Sequence, residues 1–404
     1  MSLQPRPADT YNPLYFLASV GSGGLAVTFF MYLMFWVPHP GRPVPIFEDI
    51  TAAWTTGTPA LRLAIATAMA GIALFAALNL RALAWNLTRF SAWSKTEAYA
   101  KLRTTNAEAT LLARPLALAM SVNALFILGL VFVPNLWSVV EILFPAAMVA
   151  FVLIGALAFR DIGRYLGRIL STGGAFDMTQ HNSFGQLLPA FAFAMTGVGL
   201  AAPAAMSHSP QTVGAALVLS TLFGTAAFVY AVIALSTAMS SMLHHGTAKE
   251  AAPTLMIVVP LMTILGILLM RQDHGLHVTF DGHTSAGETL VFLARFISVQ
   301  VLFLALGLTV MRRQGYFRDF VFGSKTSPGS YALVCPGVAF NVLLFFFVHK
   351  GLVAAEVIDK FSAPYWALIA LTLASQIAMI ALVFYLNARH FGAGRTAAAA
   401  VPAE

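Results

Sequence analysis

The sequence predicts an all-α polytopic membrane protein of ten transmembrane helices, paired as five hairpins with five inner helices around a central pore. Three observations carry this. Of 404 residues, 59% are hydrophobic and 10% charged, with mean hydropathy +0.79, whereas soluble domains carry about 25% charged residues. Ten runs are apolar enough to cross a bilayer core, which takes about 20 residues. The basic residues between those runs alternate from one side to the other.

In order, the spans are expected near 14–37, 59–85, 115–134, 139–159, 187–206, 212–238, 251–270, 289–311, 330–348 and 365–387. An even number puts both termini on one side. The segments on that side hold Arg6; Arg89, Lys95, Lys101, Arg103 and Arg114; Arg160, Arg164 and Arg168; Lys249; Arg312, Arg313, Arg318 and Lys325; Arg389 and Arg395. The opposite loops hold Arg42, Arg271, Lys350 and Lys360, with Arg62 and Arg295 just inside span ends. By the positive-inside rule the termini are cytoplasmic, and a bacterial inner membrane is the expected location. The chain then divides into a cytoplasmic segment 1–13, one membrane domain 14–387 and a cytoplasmic tail 388–404. The N-terminus lacks the apolar run of a cleaved signal peptide. Between spans two and three, an interfacial helix is expected around Ser94–Leu111, with Trp93 and Tyr99 at headgroup depth.

Composition narrows the function. A single cysteine excludes an internal disulfide framework or a cysteine-based metal cluster. The net charge of +7 sits in short loops, which fits loop anchoring better than nucleic-acid binding. No Asp, Glu, Lys or His falls in the middle third of any span, which disfavours a proton-driven pump.

Proline distinguishes odd spans from even ones. Pro115 and Pro134 flank span three, Pro189 and Pro203 lie in span five, Pro253 and Pro260 in span seven and Pro336 in span nine. Among the even spans only the fourth has one, Pro145, and span one carries the glycines of SVGSGG, Gly21, Gly23 and Gly24. Broken helices persist in membranes where protein or a water-filled cavity satisfies the freed backbone. The odd spans are therefore expected to face inward, with Pro336-Gly337 breaking span nine.

Neutral polar groups on those spans, and the donors of broken helix ends, can bind an anion. The expected pore lining is Gly23, Gly24, Ser121, Asn123, Thr196, Gly197, Pro203, Pro260, Thr263, Pro336, Gly337 and Asn341. A serine or threonine bonded to its own helix explains each hydroxyl equally well. Phe340, near the middle of span nine, is the expected hydrophobic gate, with Phe345 and the rest of the FFF run competing. Arg160, Arg164 and Arg168, four residues apart on one helical face, are lipid anchors or an anion collector at the cytoplasmic mouth.

Ten spans with kinked odd helices and a phenylalanine in span nine resemble the tellurite-resistance/dicarboxylate transporter family, which includes the plant slow-type anion channels. That resemblance implies quasi-fivefold hairpins around a pore occluded by a helix-nine phenylalanine, and a homotrimer. The opening run NPLYFLASVGSGGLAVTFFMYLMFWVPHPGRPVPIF and the run SYALVCPGVAF are similar to the narrower bacterial TsoY-type (seleno)protein family. This second resemblance implies that the position of Cys335 carries selenocysteine in some members.

Cys335 is then either a small buried hydrophobe or a reactive thiol beside a helix break, able to engage sulfur or selenium species. His274, His277 and His283 lie with Asp273 and Asp281 in one outer stretch, and His39, His208 and His349 end other outer segments. Their loose spacing fits a solvated loop better than a metal site. The expected function is a channel or uniporter for a small anion, needing no cofactor. The alternatives are a thiol-dependent protein of sulfur or selenium metabolism and, more weakly, a haem-bearing oxidoreductase.

Overall fold

The computed structural model describes residues 11–173, 176–180 and 182–391; Arg6 and Arg395 lie outside them. Its helices are α1 (Phe16–Trp36), α2 (Phe47–Thr56), α3 (Pro59–Trp93), α4 (Glu97–Leu102), α5 (Ala113–Phe132), α6 (Val140–Thr172), α7 (Leu188–Met206), α8 (Pro210–His245), α9 (Val258–Thr279), α10 (Ala286–Arg313), α11 (Val334–Phe346) and α12 (Ala363–Phe391). All except α2 and α4 belong to ten stretches long and apolar enough to span a membrane. The protein is an all-α integral membrane protein.

The odd spans, built on α1, α5, α7, α9 and α11, are the inner ones. Between 56% and 94% of each apolar window is buried, against 17–39% for the even spans. Each inner helix touches the next, and α11 touches α1, so the five close a ring. Every outer helix packs against two inner neighbours: α3 on α1 and α5, α6 on α5 and α7, α8 on α7 and α9, α10 on α9 and α11, α12 on α11 and α1.

The outer helices α3, α8 and α10 start sharply because each follows a Ser or Thr cap. Thr58, Ser209 and Ser285 accept bonds from the backbone N–H groups of Leu61, Thr212 and Glu288. Pro59 and Pro210 occupy the first helical position, where the missing donor costs nothing.

A second ring closes the end of the bundle at which the inner helices start. Each inner helix is preceded by a 3₁₀ segment: Pro13–Tyr15, Asn106–Leu112, Phe184–Leu187, Lys249–Met256 and Pro328–Leu333. These five also touch in cyclic order. Proline explains four of the five transitions. Pro115, Pro189, Pro260 and Pro336 occupy the second or third position of α5, α7, α9 and α11. A proline there cannot donate to the carbonyl four residues back, so the preceding turn winds as 3₁₀.

Pro336-Gly337 therefore does not break span nine in the way the sequence suggested. It lies in the first turn of α11, where proline is tolerated, and the span continues outward into a π-helical turn, Phe347–Val353.

The expected interfacial helix is two pieces, α4 and the 3₁₀ segment after it. Trp93 is 2% exposed and packs against Tyr11, Phe90 and Tyr99 instead of lying at the headgroups. Ion pairs brace this end. Glu108 accepts from both Arg103 (3.1 Å) and Arg168 (3.0 Å), and Asp161 from Arg114 (2.8 Å) and Arg160 (2.9 Å).

Candidate functional site: a central cavity lined by Arg271

A cavity of about 1370 Å³ lies inside the ring of inner helices and opens at the outer face past Asp273, His277 and Lys350. Helical periodicity decides which residues reach it. On α11 they are Cys335, Val338, Ala339, Val342 and Phe346, one face at three- and four-residue spacing; on α1 they include Val20, Gly24, Val27 and Met31. The seam between these two helices is close because glycine stands at the contact. A Cβ on Gly21 would meet Val334 Cγ1 at 2.8 Å, and one on Gly24 would meet Val338 Cγ1 at 2.7 Å.

Inward, the lining reaches Val20, Met120, Phe191, Pro260 and Cys335, all in the first two turns of their helices. Beneath them the 3₁₀ ring is packed with buried Tyr15, Leu112, Phe184, Met256 and Tyr331.

On α9 the cavity face runs Pro260, Thr263, Ile264, Ile267 and Arg271. Arg271 was assigned from sequence to an outer loop, but α9 continues through it to Thr279. Its side chain leans back toward the helix N-terminus, as helical geometry requires, and Nη1 donates to the Val198 carbonyl of α7 at 2.7 Å. Val198 is the fifteenth of the 23 residues of the span Phe184–Met206. The guanidinium thus sits between α7 and α9, inside the bundle and within the length of that span. Among the described residues no carboxylate lies within ion-pair distance of it.

The hydropathy window ended at Met270, so the sequence reading missed this residue. The signal that could have found it is an arginine directly following an unbroken apolar helix, with a side chain long enough to reach back.

Of the expected pore lining, Gly24, Asn123, Pro203, Pro260 and Thr263 face the cavity, as does Cys335. Asn123 donates to the Ala119 carbonyl at 3.1 Å. Thr263 Oγ1 donates to the Ala339 carbonyl (2.8 Å) and accepts from Gln300 (2.6 Å). Seven residues turn away. A Cβ on Gly23 would meet Asn79 and Met120, one on Gly197 would meet Leu268, and one on Gly337 would meet Met379 of α12. Ser121 and Thr196 donate to Ala117 and Ala192 within their own helices. Asn341 donates to the Thr372 carbonyl of α12 at 2.6 Å, and Pro336 lies off the cavity face of α11.

Neither expected gate residue reaches the cavity. Phe340 is half-buried against the cluster that includes Met256, Val259 and Ala339, while Phe345 is enclosed by Tyr32, Phe35 and Trp36. Phe346, from the same FFF run, is the one that lines it.

The arginine row of α6 is also largely committed. Arg168 is bound to Glu108 and to the Thr104 and Thr105 carbonyls, and Arg160 to Asp161; Arg164 is exposed.

At the outer mouth His274 and His277 belong to the last turns of α9, and His277 Nδ1 lies 2.7 Å from the Gly282 carbonyl. Among the described residues no three His, Cys, Asp or Glu side chains converge as metal ligands. His349 is buried between the Phe345 carbonyl (2.9 Å) and Tyr365 (2.9 Å), and stacks on Phe35. No protein-family model and no curated protein matches the chain.

Proposed function

We propose that the protein conducts or carries anions across the membrane, with Arg271 holding the anion in the central cavity. One observation carries this reading: a guanidinium within the spanning bundle that faces a cavity and has no carboxylate partner among the described residues. A charge inside a membrane is expensive and marks a substrate pathway by default. An anion arriving beside it removes that penalty, and the cation in turn replaces part of the anion's hydration. The outward-open cavity above a packed 3₁₀ ring suits a pathway closed on its cytoplasmic side, so the moving part is that ring and not Phe340 or Phe345.

The test is anion flux in proteoliposomes. Arg271→Ala should lower it about tenfold or more, with Arg271→Lys retaining part; equal flux in all three proteins would refute the reading. A second reading has one observation in its favour, since Cys335 lines the inner end of the same cavity. Under it, Cys335→Ser abolishes function; under the anion reading, Cys335→Ser leaves flux intact.

A further inference from the structure

We infer that the anion taken by this cavity is an amphiphile, a single carboxylate- or sulfonate-type head on an apolar chain. This deepens the anion reading and rests on it. The cavity, at about 1370 Å³, exceeds the roughly 300–1,000 Å³ of sites built for drug-sized ligands. Among the described residues Arg271 is the charged side chain that lines the cavity below its mouth, and the polar Asn123 and Thr263 are already bonded to protein. A small anion would gain one guanidinium there and nothing from the apolar walls. An anion with an apolar tail keeps that ion pair and also buries its chain against Val, Leu, Ile, Met and Phe side chains, worth about fourfold in affinity per methylene.

The shape of the cavity agrees. In the outer half it leaves the axis and extends between α5 and α6, past Val122, Leu125, Leu143 and Ala146. Leu125 and Leu143 are 50% and 40% exposed on the outside of the bundle, so this branch leads from the arginine toward lipid. A chain held by its head at Arg271 has an apolar path for its tail, and a route of arrival from the outer leaflet. The occupant is a free single-chain amphiphile; a phospholipid would share the head chemistry and is separated from it by the test.

The experiment titrates methane-, butane- and octanesulfonate into the full-length protein in nanodiscs, with empty discs subtracted. Excess affinity should rise about tenfold or more from butane- to octanesulfonate. Ala146→Trp, which fills the branch from its exposed rim, should remove that rise and leave methanesulfonate binding in place. No rise with chain length, or a rise that survives Ala146→Trp, overturns the amphiphile. If Arg271→Ala abolishes methanesulfonate binding while the rise is missing, the anion reading survives alone. If Arg271→Ala changes nothing, both fall. One phospholipid per chain in native mass spectra, lost in Arg271→Ala, would assign the site to lipid and also overturn the proposal.

Discussion

Arg168 and Arg271 are both arginines of membrane-crossing helices whose heads are turned toward protein, and the molecule uses them differently. Arg168, near the end of α6, is bound by Glu108 and two backbone carbonyls. Arg271, on α9, has one carbonyl and an open cavity. The first charge is consumed in joining α6 to the 3₁₀ ring; the second is left available inside the bundle. The difference separates a charge that holds the fold from a charge that can hold something else. Counting arginines on one helical face, as the α6 row invited, finds charges that are engaged by Glu108 and Asp161 or exposed, and not Arg271.

Substitutions can break or sharpen this contrast. The largest stability effect should come from Glu108→Ala, which strands Arg103 and Arg168 beside a packed collar. Breaking a buried pair from one side costs about 3–5 kcal/mol, and the low end applies because both guanidiniums keep some contact with water. Thermal unfolding in detergent measures it, and flux per folded molecule should not change. A large loss of flux without loss of stability would place Glu108 on the pathway.

Phe340→Ala should cost about 2 kcal/mol by leaving a gap against the cluster that includes Met256 and Val259. Its flux should stay within about twofold of the parent; a large rise would restore Phe340 as the gate. Arg164→Ala, on the same helix and exposed, should do least, within about 0.5 kcal/mol in stability. A flux decrease in Arg164→Ala would revive the cytoplasmic collector.

How much of this was legible depends on which property of the residues mattered. The ten spans and their alternation were readable because each apolar run is about as long as a bilayer core is thick, or longer, and the Lys and Arg residues sort to one side. The inner and outer roles were readable from proline. The reason differed, since Pro115, Pro189, Pro260 and Pro336 mark where 3₁₀ turns become α-helix, not breaks in mid-membrane. The closed 3₁₀ ring has no common sequence signature; its segments differ in length and composition.

The facing of α11 could not be read at all. VCPGVAFNVLLFF is apolar all round, so nothing in it separates Phe346, toward the cavity, from Phe340 and Phe345, away from it. Arg271 was hidden for a different reason. Its Cα is the fourteenth of the 22 residues of α9, just past the apolar run that ends at Met270, while its head reaches back to Val198, and a position in sequence reports only the first.

The most direct test is to locate an anion by anomalous scattering. Iodide, weakly hydrated and electron-rich, should give a peak within about 3.5 Å of the Arg271 guanidinium in the parent protein and none in Arg271→Ala. A cavity without that peak, or a peak that persists in Arg271→Ala, would contradict the account.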